Sequence, residues 1–151
     1  PPVLDALGLV DSLEELVARW RAHHPVVSCE LEASGGLDEL EERLGITIYR
    51  IVQEALTNIA NHADARWVRI RIRRSSNADL PMEHILVTVV DDGRGMIPEA
   101  RHDGMGLLGM RERAVAVGGS YELDSLPGQG VRITVRLPIT GETVHAIRQQ
   151  L

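Results

Sequence analysis

The sequence contains no lysine; all 16 of its basic residues are arginine. A Walker-type phosphate loop needs the lysine of G-x-x-x-x-G-K-[ST], so that design is excluded. Any triphosphate would have to be held by metal, backbone N–H groups and arginine. Cysteine is nearly absent too: Cys29 stands alone, which excludes an internal disulfide and suits a reducing cytoplasm. No apolar run reaches the roughly 18 residues of a membrane span. No basic leader precedes an apolar stretch, so no signal peptide and no direct membrane contact are expected. The chain opens on Pro1-Pro2 without a Met, which leads us to expect a piece of a longer protein. Its net charge is −6, with Asp11, Glu14, Glu15, Glu30, Glu32, Asp38, Glu39, Glu41 and Glu42 crowding the front. Such a surface repels phosphate backbones, so a nucleic-acid partner is not expected. What is present is a 44% apolar fraction over 151 residues, enough for one domain with a real core.

Residues 1–9 read as a linker and 139–151 as a tail, leaving 10–138 as the folded unit. Leu13, Leu16, Val17 and Trp20 recur at helical spacing and predict a helix over Asp11–Arg21, capped by Asp11 or Ser12 and stopped by Pro25. Val26–Leu31 reads as a strand, and Ser34-Gly35-Gly36 as a turn. From Leu37 to His62 the pattern is helical, with a break expected at Gly45. Ile48, Ile51, Val52, Ala55, Leu56 and Ile59 form its buried stripe. Glu54, Asn58, Asn61 and His62 gather roughly 110° away around the same helix. Trp67–Arg73 alternates Val68, Ile70 and Ile72 with Arg69, Arg71 and Arg73, the signature of a strand with one wet face. Ile85–Val90 reads as a central strand delivering Asp91 at its end. Leu107–Val117 reads as a helix closed by Gly118-Gly119. Tyr121–Ser125 and Val131–Leu137 read as a hairpin across Pro127–Gly130. Helices come early and strands late, which predicts an α+β fold, a two-layer sandwich. Its sheet of about five strands, mixed and mostly antiparallel, would be covered on one face by about three helices.

Three glycine-containing stretches follow the polar side of the long helix. They are Asp91-Asp92-Gly93-Arg94-Gly95, Gly104-Met105-Gly106-Leu107-Leu108-Gly109 and Gly128-Gln129-Gly130. A carboxylate at a strand end can accept a hydrogen bond from the exocyclic amine of adenine, and glycines let a base lie against the backbone. Alone, Asp-Asp-Gly is a common acidic turn. The second stretch opens a helix, where N–H groups and the helix dipole favour phosphate. It also matches the dinucleotide pattern G-x-G-x-x-G, but that site follows a strand and begins a βαβ unit. Here Pro98–Asp103 precede it and a hairpin follows. Asn58, mid-helix, can offer its amide oxygen to Mg²⁺, whose other ligands would be waters and phosphate oxygens. Glu54, one turn earlier, can orient a water. Alone, those two are an ordinary polar stripe. Together and in this order, the motifs point to a purine-triphosphate site built without a P-loop.

In this combination the chain resembles the Bergerat ATPases (gyrase, Hsp90, histidine kinases, MutL). Gln53–Ala63 is similar to their N box, Asp91–Met96 to the first glycine box and Gly128–Val131 to the closing box. Gly104–Arg113 resembles the second glycine box as worded in sensor histidine kinases paired with NarL/LuxR-type response regulators. Pro1–Leu9 resembles the segment after that family's dimerization helices. The resemblance implies a magnesium-dependent ATP-binding catalytic domain of a two-component sensor histidine kinase. It would pass the γ-phosphate to a histidine on a dimerization domain outside this chain. It further implies Asn58 as the Mg²⁺ ligand, Asp91 on the adenine amine, and Gly93, Gly95 and Met96 lining the base pocket. Asn61 and His62 would sit near the base, ribose or phosphates. Gly104, Met105, Gly106, Leu107 and Gly109 would form the phosphate lid, with Gly130 and Val131 closing the site. Glu54 and Asn58 would be the catalytic pair, Glu54 orienting metal and water; phosphoryl transfer is mostly positioning and charge neutralisation. Two positions depart from the family: Asn61 where Lys or Arg is frequent, and Val131 where Thr is frequent. His102-Asp103 matches an acceptor dipeptide, but Pro98 and nearby glycines forbid the long helix an acceptor needs. Little turnover in isolation is therefore expected. The same fold would also serve an anti-sigma-type protein-serine kinase or a non-catalytic nucleotide sensor.

Overall fold

The computed structural model describes residues 8–34, 36–62, 64–75, 83–95, 107–125 and 127–139. Helix α1 spans Leu9–His23, strand β1 Ser28–Ser34, and a single 3₁₀ turn Leu37–Glu39. Helix α2 spans Glu42–His62, strand β2 Trp67–Ser75 and strand β3 His84–Asp91. Helix α3 (Leu107–Ala116) and strands β4 (Ser120–Ser125) and β5 (Val131–Pro138) complete the order. The strands form one sheet in the order β1-β2-β3-β5-β4, with β1 parallel to β2 and every other pair antiparallel. This is the two-layer α+β arrangement expected, with three helices on one face.

Alternation decides which face is covered. Val68, Ile70 and Ile72 of β2, Ile85, Val87 and Val89 of β3, and Ile133, Val135 and Leu137 of β5 are buried. They meet the predicted stripe of α2, in which Ile48, Ile51, Val52, Ala55, Leu56 and Ile59 are all buried. Leu13, Leu16 and Val17 of α1 and Met110 and Ala114 of α3 seal the two ends of that core. Among the described residues, no helix covers the other face. On it, Arg69 and Arg71 pair across the parallel ladder with Glu30 and Glu32 at 3.5 and 3.2 Å.

Several local expectations are corrected. Helix α1 begins at Leu9, before Asp11, and neither Asp11 nor Ser12 caps it. Asp38, from the 3₁₀ turn, accepts the Val10 N–H at 3.1 Å, while the buried Ser12 hydroxyl donates to the Gly8 carbonyl at 2.6 Å. Strand β1 starts at Ser28 rather than Val26, since Val26 is almost fully exposed. The break in the 37–62 region falls at Leu40, which is extended (φ −70°, ψ 151°), and not at Gly45. Gly45 keeps its helical hydrogen bond to Glu41 (3.1 Å) and is buried, so packing offsets its weak helix propensity. Helix α3 closes at Gly118, as expected, with φ +81° and its N–H on Val115. Ile139 packs against the core and donates its N–H to Glu83. The expected linker through residue 7, residues 76–82 between the two predicted strands and the tail from 140 lie outside the described residues.

Candidate nucleotide-binding site

Asp91 ends β3 on the covered face. It occupies the position where the row Ile85, Val87, Val89 calls for another hydrophobe, and it is only 5% exposed. Its Oδ1 accepts the Gly93 N–H at 2.8 Å. Burial pushes its pKa up, and the neighbouring Asp92 charge adds to this; backbone hydrogen bonds from Gly93 and Val131 pull it back. A carboxylate held this way is costly, and is the kind of group that donors on a bound ligand would satisfy.

The backbone around Asp91 is fixed from two sides. Asp92 Oδ1 accepts the N–H groups of Arg66 and Trp67 at 2.8 and 2.9 Å, binding the end of β3 to the start of β2. Sequence reading gave Asp92 no role; its partners lie some 25 residues upstream. From the other side, Val131 pairs with Asp91 in the β3–β5 register. Gly130 sits at φ +79°, and a Cβ there would run into the Asp91 carbonyl oxygen, with the Asp92 Cα at 3.0 Å. Only glycine permits that approach. The Gly128 N–H donates to the Arg94 carbonyl, and Ser125 Oγ donates to the Gly130 carbonyl at 3.1 Å. The first and third glycine stretches are thus one structure.

The second cluster lies on α2 and α3. Glu54 Oε1 accepts from Arg113 Nε at 2.9 Å. Its Oε2 is buried with no partner among the described residues, and so is Asn58 Nδ2 one turn further on. Gly109 faces the same carboxylate: a Cβ there would lie 3.2 Å from Glu54 Oε2. Asn61 is exposed in the last turn of α2. Met96, Gly104, Met105 and Gly106 lie outside the described residues, and the side chains of His62 and Leu107 are likewise undescribed. Gly95 has φ +73°.

The structure thus brings Asp91, Gly93, Gly130 and Val131 together, and separately Glu54, Asn58 and Gly109. A shallow cavity of about 230 Å³ beside Asp91 opens among Asp124, Ser125, Gln129 and Arg132; no α2 residue lines it, so it is not the space between Asp91 and Asn58. No group of three or more His, Cys, Asp or Glu capable of caging a metal occurs among the described residues. A half-satisfied carboxylate on Glu54 and an amide one turn on, whose Oδ1 is an oxygen donor atom, do fit Mg²⁺, which takes few protein ligands and fills its shell with water and phosphate oxygens; the orphaned Asn58 Nδ2 is a hydrogen-bond donor and suits a water or phosphate oxygen rather than the metal. Arg113 is the residue that sequence reading missed here. Only the helical spacing Gly109–Arg113, which puts both on one face of α3, hinted at it.

Comparison with known proteins identifies the family. Residues 44–141 match the family model described as histidine kinase-, DNA gyrase B-, and HSP90-like ATPase. An uncharacterized sensor-like histidine kinase of Chloroflexus aurantiacus is 36% identical over 149 residues, covering 92% of this chain and 24% of that protein. The signal transduction histidine-protein kinase/phosphatase DegS of Brevibacillus brevis is 30% identical over 140 residues, covering 92% and 34%. The chain therefore spans between a quarter and about a third of the length of these relatives. Among solved structures, the histidine kinase domain of the Erythrobacter litoralis EL346 blue-light activated histidine kinase superposes with a TM-score of 0.71 at 20% identity, covering 90% of this chain and 63% of that one. That likeness is one of fold. The family model covers well over half of the chain, including nearly all of α2, Asp91 and the hairpin, and so this protein belongs to the histidine kinase-, DNA gyrase B- and HSP90-like ATPase family.

Proposed function

We propose that this domain binds Mg-ATP and serves as the catalytic domain of a two-component sensor histidine kinase, donating the γ-phosphate to a histidine on a dimerization domain. The observation that carries the reading is Asp91: a buried carboxylate in a hydrophobic row, at a strand end that Gly130 and Asp92 hold rigid. Asp91 would take the adenine amine, with Gly93, Gly95 and Met96 against the base. Asn58 would ligate Mg²⁺, and Glu54 would orient the water around it. Asn61 and His62 would line the ribose and phosphates, and Gly104 to Gly109 would cover them. When bound, the metal neutralises phosphate charge. The expected unit of 10–138 would extend to Leu9, which is buried in α1, and to Ile139, which packs against the core, with the residues before it leading to the dimerization helices.

The Gly104–Arg113 wording supports a NarL/LuxR-type response regulator as the downstream partner. As a user of ATP, the domain works in the cytoplasm. No helix among the described residues is long and apolar enough to cross a membrane. The test is an ATP titration with and without Mg²⁺, followed by transfer to a dimerization fragment supplied in trans. Mg-dependent binding and phosphohistidine formation support the proposal. Transfer to serine would favour the anti-sigma-type reading, and binding with no transfer a nucleotide sensor.

A further inference from the structure

We infer that Arg113 is a positioning residue for Glu54, so that the polar wall of the cleft depends on how α3 is docked. The inference rests on the ATP-binding reading above and extends it to a residue outside the ligand-contacting set. Glu54 has two carboxylate oxygens in unlike states. Oε1 is engaged by Arg113 Nε at 2.9 Å, while Oε2 is buried and without a partner among the described residues. A carboxylate free to rotate would present either oxygen. Engaged at Oε1, it leaves Oε2 as the unpartnered oxygen, and the whole carboxylate fits against Gly109, where a Cβ would lie 3.2 Å from Oε2 and 3.4 Å from Oε1. Gly109 and Arg113 are four residues apart, hence on one face of α3: one makes room for the carboxylate and the other orients it.

Stability does not explain the pair. Helix α3 is anchored by Met110 and Ala114, both fully buried. The Arg113 side chain is 44% exposed, and ion pairs this open contribute little to folding. Leaving Oε2 desolvated and unpaired is unfavourable, and such groups persist where a ligand completes them. Arg111 is the internal control. It carries the same charge on the same helix, but two residues away it lies on another face.

The experiment compares R113A, R113K, R111A, G109A, E54Q and the double variant E54Q/R113A. Mg-ATP affinity, transfer to a dimerization fragment, and amide hydrogen exchange of the nucleotide-free domain are measured for each. R113A should slow transfer about tenfold while changing ATP affinity less than about threefold. E54Q should match it, and the double variant should be no slower than E54Q. R113K should recover part of the rate. G109A should reproduce the loss by crowding the Glu54 carboxylate with Arg113 still in place. Exchange across 107–113 should rise equally in R113A and E54Q and stay at the wild-type level in R111A. The inference is overturned if R113A behaves like R111A, or if the two losses multiply in the double variant. If the underlying reading is what fails, the wild-type domain itself will not bind ATP; if only the role of Arg113 fails, wild type binds and transfers and R113A does so equally well.

Discussion

At the strand end of the cleft, Asp91 is held by backbone: a ladder pairing with Val131, the Gly93 N–H, the Asp92 clamp on Arg66 and Trp67, and a glycine at 130 that nothing larger could replace. At the helix end, Glu54 is held by a side chain of the neighbouring helix, Arg113, and its Oε2 and the Asn58 Nδ2 are unsatisfied among the described residues. The first arrangement has one geometry. The second has polar atoms that no described residue completes. A base of fixed shape suits the first, and a metal with its waters and a flexible phosphate tail suits the second. The contrast predicts that damage at the strand end is structural and abrupt, while damage at the helix end is chemical and graded.

Gly130→Ala is the largest expected effect. The new Cβ meets the Asp91 carbonyl oxygen, and the residue is held at φ +79°. Loss of more than about 3 kcal/mol is expected, a fall in Tm of about 10 °C or more for a domain of this size. A thermal melt with Tm within a few degrees of wild type would show the strand end to be as adaptable as the helix end, and the comparison would break.

Asp91→Asn separates function from stability at the same spot. Burial raises the Asp91 pKa, so the folded state binds its proton more tightly than the unfolded chain does. The stabilisation from that proton is complete at pH below the ordinary carboxylate range and is lost as pH rises through the raised value. At pH 7 the ionised group therefore opposes folding. The variant should melt at or above the wild-type temperature, with its advantage growing from about pH 4 to pH 7. ATP affinity should fall about 10- to 150-fold, the equivalent of a hydrogen bond to a charged group. Wild-type affinity should weaken on acidification, while that of the variant stays flat; calorimetry across pH measures both.

Asn58→Ala probes the other end. It removes an amide whose Nδ2 has no partner among the described residues, so little folding energy is lost; Tm should move by less than about 4 °C. The ratio of ATP affinities with and without Mg²⁺ should collapse toward one. If magnesium dependence survives intact, Asn58 is not a ligand, and the helix end loses its chemical character.

These two ends were not equally legible in the sequence. The α2 stripe, the β2 alternation and the β4–β5 hairpin follow from local periodicity, and each appears where the pattern put it. Asp91 was legible because a carboxylate interrupts an apolar run just before two glycines. Its clamp was not, since Asp92 reaches residues 66 and 67, and no local pattern encodes which backbone N–H a carboxylate will meet. The Asp38 cap on α1 bridges 28 residues and the Glu54–Arg113 pair 59; no local pattern named either partner, for the same reason. The helical break was misplaced because Gly45 is weak only by propensity; burial decides in favour of the helix, and the chain turns at Leu40 instead.

The open face of the sheet supplies the smallest prediction and the control for the others. Glu32 pairs with Arg71 at 3.2 Å, but the two side chains are 69% and 55% exposed. Water and salt screen such a pair, and the entropy of fixing two long side chains offsets most of what remains. Glu32→Ala should therefore shift stability by less than about 0.5 kcal/mol, a Tm change of about 2 °C or less that vanishes in high salt. ATP affinity should not change at all, because β1 and β2 turn these side chains away from α2 while Val68, Ile70 and Ile72 face it. A fall in affinity with Glu32→Ala would mean that the open face is coupled through the sheet to Asp91. The rigid strand end would then transmit strain rather than resist it, which is the opposite of what its glycine-locked backbone implies.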